Sequence, residues 1–128
     1  MNHPKSRVFD LEERLIAFAC RVVRFVDRLP NTAAGRHLGG QLLRSGTAPA
    51  LHYGEMQSAE SLADFIHKLK LALKEQRESK NNLRIIEGGG LMPANDEEYT
   101  WLLKECLELI AILAKSVNTA EKNREKKK

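Results

Sequence analysis

The sequence predicts an all-α fold, and three observations support this prediction. Apolar residues make up 42% of the 128 residues, enough for one domain with a hydrophobic core, whereas aromatic residues make up only 5%. Runs rich in Val, Ile and Thr are scarce, which disfavours a β-sheet fold. Apolar residues recur instead at alternating spacings of three and four in several segments, as in amphipathic helices. Four such segments with short connections predict an antiparallel up-down-up-down four-helix bundle.

The first predicted helix covers about residues 7–29 and ends before Pro30. Its main apolar seam consists of Leu11, Leu15, Phe18, Val22, Phe25 and Leu29. A second apolar stripe lies beside this seam and consists of Ile16, Ala19, Val23 and Val26. One stripe can face the bundle core, so the second needs another partner, either a third helix or another subunit. We therefore predict the second stripe as a candidate oligomer interface.

The second predicted helix, residues 33–56, has an unusual composition. Thr32 is suited to cap its start, but the segment contains five glycines and Pro49. Each interior Gly costs about 1 kcal/mol relative to Ala and an interior Pro about 3 kcal/mol, so propensity alone disfavours a helix. Three small residues nevertheless share one helical face: Gly46, Ala50 and Gly54. Such a row allows a neighbouring backbone to approach closely, and we predict a helix kinked near Pro49.

The row of small residues also predicts which side of the second helix faces the core. We expect a neighbouring helix of the same chain to pack against Gly46. Leu42 and Leu43 should then turn inward, and Arg44 should be left free for solvent, a subunit partner or a phosphate.

The third predicted helix, residues 61–87, has a seam of Leu62, Phe65, Leu69, Ala72, Gln76, Ser79, Leu83 and Ile86. Three consecutive glycines in "EGGGLMPAND" end it. Asn95 and Glu98 then have the spacing of a capping box at the start of the fourth helix. The seam of that helix consists of Tyr99, Leu103, Cys106, Ile110, Leu113 and Val117, and Leu102 and Leu109 broaden its apolar face.

The sequence predicts one domain, residues 1–120, followed by a basic and disordered tail, residues 121–128. The tail carries five positive and two negative residues, so its net charge of +3 leaves only +1 of the total +4 for the remainder. The longest apolar run, "LIAFAC", is too short to span a membrane, and the N-terminus has no apolar signal-peptide region. Cys20 and Cys106 are expected to be free thiols in a reducing cytosol, which predicts a cytoplasmic location.

Several motifs together resemble a known family. They are "LP" at 29–30, "GRHLGGQLLRSGTAPA" at 35–50, "YGE" at 53–55 and "DFIHKLKLALKE" at 64–75. With these motifs the chain resembles the 23S rRNA-intervening sequence proteins over roughly residues 8–115. It departs from many similar members at His52, where they carry Asn, so a hydrogen bond of that amide is not expected here.

The resemblance implies a left-handed antiparallel four-helix bundle and a ring-shaped homopentamer. It leaves the biochemical role open. Some members are encoded inside insertions in ribosomal RNA genes. The chain is more distantly similar to the accessory variability protein of diversity-generating retroelements, a bundle that partners a reverse transcriptase and nucleic acid. The resemblance therefore implies three possible kinds of partner: further copies of the same chain, RNA or DNA, and a reverse transcriptase.

Arginines repeat every seven residues in the first helix, with Arg14, Arg21 and Arg28 as candidates for contact with RNA or DNA. A basic stripe of this kind can contact phosphates. The alternative is ion pairing with a neighbouring helix. The segment 95–117 favours the alternative, since it carries five acidic residues and two lysines.

Further basic residues extend the set of nucleic-acid-binding candidates: Arg36, Arg44, Lys70, Lys74, Arg77, Lys126, Lys127 and Lys128. Arg84 lies at helical spacing from the members in the third helix. These side chains could equally form a solvated face or pair with another subunit. Because no aromatic residues are interleaved with them, stacking on single-stranded bases is not indicated.

Motifs of catalysis and metal binding are not found in the sequence. Neither the phosphate-binding G-x-x-x-x-G-K-[ST] pattern nor the nucleophile pattern G-x-S-x-G occurs. Asp64 and His67 have the spacing of one half of a di-iron site, but no second copy exists. We predict no catalytic residue, no metal and no cofactor. The predicted function is a non-enzymatic oligomeric bundle that associates with RNA or DNA, and the alternative is a structural or protein-interaction ring.

Overall fold

The computed structural model describes residues 6–126, and the side chains of residues 11–126. Its four helices are α1 (Ser6–Val26), α2 (Ala33–Met56), α3 (Leu62–Gly88) and α4 (Glu97–Lys126). Residues 6–126 contain no strand. The predicted all-α four-helix fold is therefore confirmed.

Each helix packs against its neighbour in sequence, and α4 returns to pack against α1. Arg14 pairs with Glu105, whereas Arg21, later in α1, pairs with the earlier Glu98. Rising numbers in α1 thus face falling numbers in α4, so these helices are antiparallel. Short connections between consecutive helices complete the up-down-up-down arrangement.

The predicted seams meet in the centre of the bundle. In α1 the seam contributes fully buried side chains at Leu15, Phe18, Val22 and Phe25. Leu102 and Leu109 of α4 are also fully buried, and they belong to the same cluster as the α1 side chains. The apolar face of α4 is therefore broad because this helix packs on both α1 and α3.

Helix α2 begins at a capped end and continues without interruption through Pro49. The Thr32 hydroxyl accepts a hydrogen bond from the Gly35 backbone N–H at 3.1 Å, which confirms the predicted cap. A Cβ atom at Gly46 would lie 2.9 Å from Val22 Cγ2, so α1 approaches α2 as closely as the small-residue row predicts. Gly54 is exposed with open space around it, and the prediction of close packing is wrong at that position.

Two local predictions need correction. Leu42 is fully buried, but Leu43 is 39% exposed because neighbouring residues of an α-helix point about 100° apart. The cap of α4 is Asp96 rather than Asn95: Asp96 Oδ2 accepts a hydrogen bond from the Tyr99 backbone N–H at 3.0 Å. Glu98 binds Arg21 and does not close a capping box.

Helix α4 extends further than the sequence predicts. It runs to Lys126, so residues 121–126 are helical where a disordered tail was expected. The residues beyond 126 lie outside the described part of the chain. Within that part, none of the helices combines the length and the apolar character that crossing a bilayer requires.

Candidate interaction surfaces

The arginine stripe of α1 faces α4 and is matched there by carboxylates. Arg14 Nη2 donates to Glu105 at 2.7 Å and to Glu108 at 2.8 Å, and Arg14 Nε donates to the other oxygen of Glu105 at 2.9 Å. This arrangement holds the guanidinium in one orientation. The hydrogen bond with Glu105 is the main cause that raises the pKa of Arg14 above its usual value.

The next two arginines repeat this pattern. Arg21 Nε donates to Glu98 at 2.6 Å, and its guanidinium lies 3.6 Å from the centre of the Trp101 ring. Arg28, two residues after the end of α1, binds both oxygens of Asp96, one residue before α4. The hydrogen bond from Arg28, followed by the one from the backbone N–H of Tyr99, lowers the pKa of Asp96.

The positive charges of this stripe are therefore already paired with acids of the same chain. Three arginines one heptad apart meet Glu105 with Glu108, Glu98 and Asp96 in turn. This is the ion pairing that the acidic segment of the sequence favoured. Contact of these arginines with nucleic acid stays a prediction.

Arg44 is also paired and is not left free as predicted. Its guanidinium donates to Glu75 at 2.9 Å and to Glu78 at 2.6 Å, both on α3. The hydrogen bond from Arg44 lowers the pKa of Glu78. Because sequence alone does not give the register between α2 and α3, these partners could not be assigned beforehand.

The other predicted cations lie on different parts of the surface. Arg36 is exposed and donates to the side chain of Asn31 at 3.0 Å. Lys70 pairs with Glu121 at 2.8 Å. Lys126 is exposed at the end of α4, and Lys127 and Lys128 lie outside the described residues.

A second basic row lies on α3. Lys74 and Arg77 are exposed, and Asn81 and Arg84 continue their row at helical spacing. Among the described residues, no carboxylate lies within salt-bridge distance of Lys74, Arg77 or Arg84. Unlike the stripe of α1, this row therefore keeps its positive charge available. We call these four residues the α3 row.

Two adjacent clefts lie along the α3 row. The first, of about 560 Å³, is lined by Lys70, Leu73, Lys74, Arg77, Glu78, Asn81 and Val117. The second, of about 650 Å³, is lined by Asn81, Arg84, Ile85, Glu87, Gly88, Tyr99 and Leu103. Because the clefts share Asn81 and include residues of both helices, they form one groove between α3 and α4. Sequence spacing indicated the cations of this groove, but its apolar lining depends on how the two helices pair.

The second apolar stripe of α1 remains accessible to solvent. Ile16 is 42% exposed and Val23 is 45% exposed, whereas Ala19 and Val26 are half-buried. On α2, which packs against α1 through Gly46, two further apolar side chains are exposed, namely Leu43 and Leu51. These six residues form the apolar face of α1 and α2.

The buried Cys106 thiol is held in its protonated form. Burial raises the pKa of the Cys106 thiol to about 11, and Gln76 Nε2 donates to its sulfur at 3.3 Å. A thiol with this pKa is protonated near neutrality and is a poor nucleophile. Across residues 11–126, no three His, Cys, Asp or Glu side chains come together as a metal site would require.

The comparisons with known proteins support the family resemblance. A crystal structure of a protein of unknown function from the S23 ribosomal protein family of Bacteroides thetaiotaomicron is 29% identical, with a TM-score of 0.76. The match covers 84% of the present chain and 97% of the other chain. The chain resembles the S23 ribosomal protein family in sequence and in fold. This confirms the predicted similarity to the 23S rRNA-intervening sequence proteins. Neither a family model nor a curated protein matches the chain.

Proposed function

We propose that the protein is a non-enzymatic assembly module whose copies associate through the apolar face of α1 and α2. The observation that carries this proposal is the exposure of Ile16, Val23, Leu43 and Leu51 on two adjacent helices. Apolar residues clustered on the surface of a small domain are typical of protein interaction sites. The face includes the second apolar stripe of α1, which the sequence proposes as an oligomer interface.

The resemblance supports an assembly of several copies. The family resemblance implies a homopentamer, and a ring requires two different surface patches that meet head to tail. The apolar face of α1 and α2 supplies one of these patches. A reverse transcriptase, the partner of the more distantly similar accessory variability protein, is a candidate for a further component.

The test is to place a charge on the proposed interface. We expect Ile16→Asp with Val23→Asp to shift the protein toward monomers in size-exclusion chromatography with light scattering. The matched control is Leu107→Asp, which changes another half-exposed side chain on α4. Helix content measured by circular dichroism should be retained in both variants. A monomeric starting protein at micromolar concentration would contradict the proposal.

A second candidate function is association with RNA or DNA. One observation favours it: the α3 row keeps Lys74, Arg77 and Arg84 without carboxylate partners among the described residues. Cations in such a row give affinity that is independent of sequence and falls steeply with salt. This candidate stands second because the arginine stripe of α1 and Arg44 are already paired.

A gel shift with RNA and with duplex DNA at low salt tests the second candidate. If it is correct, Lys74→Glu with Arg77→Glu abolishes the shift. Substitution of Arg24, an exposed cation on α1, should leave it unchanged. Absence of a shift with the unmodified chain would exclude this function.

A further inference from the structure

We propose that the groove between α3 and α4 binds an acidic amphipathic helix of a different protein. This inference goes beyond self-association, because the groove lies on the opposite helix pair from the apolar face of α1 and α2. It would give the assembly a place to hold a second component.

The basic wall of the groove has the spacing of a helix surface. Lys74, Arg77, Asn81 and Arg84 follow each other at intervals of three, four and three residues. Ten residues of helix separate the first from the last, a distance of about 15 Å. A partner helix lying alongside α3 can present carboxylates at the same intervals, so several charge-assisted hydrogen bonds can form along one edge.

Three acidic residues lie near this row. Glu87 lines the second cleft with Arg84 but, among the described residues, does not come within salt-bridge distance of it, and the other two are paired elsewhere. Glu78 lines the first cleft, but its carboxylate accepts a hydrogen bond from Arg44 at 2.6 Å. Glu121 pairs with Lys70 at 2.8 Å, which ends the row of available cations at Lys74. The groove is therefore selective for an acidic partner.

The lining of the groove is apolar between these charges. In the first cleft Leu73 and Val117 are buried, and in the second Leu103 is half-buried. Ile85 is 54% exposed at the edge of the second cleft. A phosphate backbone would leave the exposed parts of Leu103 and Ile85 in contact with water. The apolar stripe of an amphipathic helix would cover them, as in other helix-in-groove complexes.

The combination of a basic wall and an apolar lining thus selects the partner. Nucleic acid can pair with the cations but does not cover the apolar lining, whereas an acidic amphipathic helix can do both. The two clefts also lie one after the other along the helix axis, as successive turns of a bound helix would require. Asn81, which both clefts share, can donate to or accept from a polar side chain between the apolar anchors.

The test uses a synthetic helical peptide of about 18 residues, long enough to follow the whole groove. Leu residues occupy one face of the peptide and Glu residues flank them, and a control peptide carries Lys in place of Glu. Binding of the fluorescent peptides to the full chain is measured by anisotropy. We expect the Glu peptide to bind and the Lys peptide to bind at least about tenfold more weakly.

Variants of the chain identify the surface. Arg77→Glu with Arg84→Glu should weaken binding of the Glu peptide at least about tenfold, and Ile85→Ser should weaken it measurably. The control Arg24→Glu with Arg36→Glu reverses two exposed cations outside the groove and should have little effect. Light scattering should give the same oligomeric state for all variants, which separates this inference from the proposed self-association.

Three results would overturn the inference. The first is that the Arg77→Glu, Arg84→Glu variant binds the Glu peptide with the same affinity as the unmodified chain. The second is binding of an RNA duplex that displaces the peptide and is unaffected by Ile85→Ser, which would assign the α3 row to nucleic acid. The third is dissociation of the oligomer by the groove variants, which would assign the groove to a second copy of the chain.

Discussion

Two basic stripes of this chain follow helical spacing in the sequence, yet they have different surroundings. In α1, Arg14 and Arg21 lie opposite acids of α4 and are paired at 2.6 to 2.8 Å. In α3, Arg77 and Arg84 lie beside a groove whose α4 side presents Tyr99 and Leu103. Periodic cations therefore place charge on one face of a helix. The side chains of the adjacent helix decide whether that charge serves packing or remains available to a partner.

The prediction with the largest effect tests whether ion pairs alone could hold α1. The side of α1 that faces away from these ion pairs contacts α2, where a Cβ at Gly46 would lie 2.9 Å from Val22 Cγ2. Gly46→Leu should lower the free energy of unfolding by about 3 kcal/mol, because the added side chain separates these helices. Urea denaturation measures this loss.

The matched control is Gly40→Leu, since a Cβ at Gly40 meets nothing within 4 Å. This variant should be as stable as the original protein or slightly more so, because Leu favours helix over Gly. A Gly46→Leu protein with unchanged stability would show that α1 is held by its pairs with α4 and not by close packing on α2.

The second prediction compares the stripes directly. Arg14→Ala with Arg21→Ala should lower the free energy of unfolding by about 1–2 kcal/mol, because it leaves several carboxylates of α4 without partners. Lys74→Ala with Arg77→Ala should change it by less than about 0.5 kcal/mol, as expected for exposed side chains without such contacts. Both values come from urea denaturation at low salt.

Salt provides an independent check on this pair of variants. Raising the ionic strength screens half-exposed ion pairs, so the loss caused by the α1 variant should shrink. The α3 variant should show little salt dependence in stability. Equal losses in the two variants would mean that the α3 row also has partners within the chain.

The sequence predicted the stripes and favoured the acidic segment 95–117 as the partner of the α1 stripe, but it did not give the individual pairs, for a physical reason. Apolar periodicity is local, so it located the helices and the seam from Leu15 to Phe25 correctly. The pairing of Arg44 with Glu75 depends on the relative position of two helices, which no local pattern contains. The predicted capping box is wrong for a similar reason, since Glu98 accepts a hydrogen bond from Arg21 of α1.

The sequence predicts the cations of the groove but not its apolar lining. Lys74 and Arg77 were recognised as candidates because their spacing places them on one face. Leu73 and Val117 lie 44 residues apart in sequence and line the same cleft only because α3 and α4 are antiparallel. The chemical class of a partner therefore depends on tertiary structure, whereas the sign of its charge is visible in the sequence.

The third prediction concerns pH and the end of the α1 stripe. Arg28 lowers the pKa of Asp96, so the ionised carboxylate stabilises the folded protein. This contribution is present above the unfolded-state pKa of about 4 and is lost as the pH falls through the lower folded-state value. Asp96→Asn keeps a capping side chain but removes the charge, and it should cost up to about 1 kcal/mol at pH 7.

The difference between Asp96→Asn and the original protein should therefore shrink as the pH is lowered below about 4. Thermal or urea unfolding at a series of pH values measures it. A difference that does not shrink at low pH would show that the charge of Asp96 is not its source.

The last prediction concerns the buried side of α3, opposite the groove. Gln76 is fully buried, its Oε1 has no hydrogen-bond partner, and its Nε2 donates to Cys106 at 3.3 Å. Gln76→Leu removes a weak bond to sulfur together with an unsatisfied acceptor, so stability should change by less than about 1 kcal/mol in either direction.

The thiol of Cys106 still donates to the backbone carbonyl of residue 76 after this substitution. A loss as large as that of the Arg14, Arg21 variant would mean that a polar contact fixes the pairing of α3 with α4. A neutral result would mean that apolar packing on the inner side of α3 is sufficient to hold this helix.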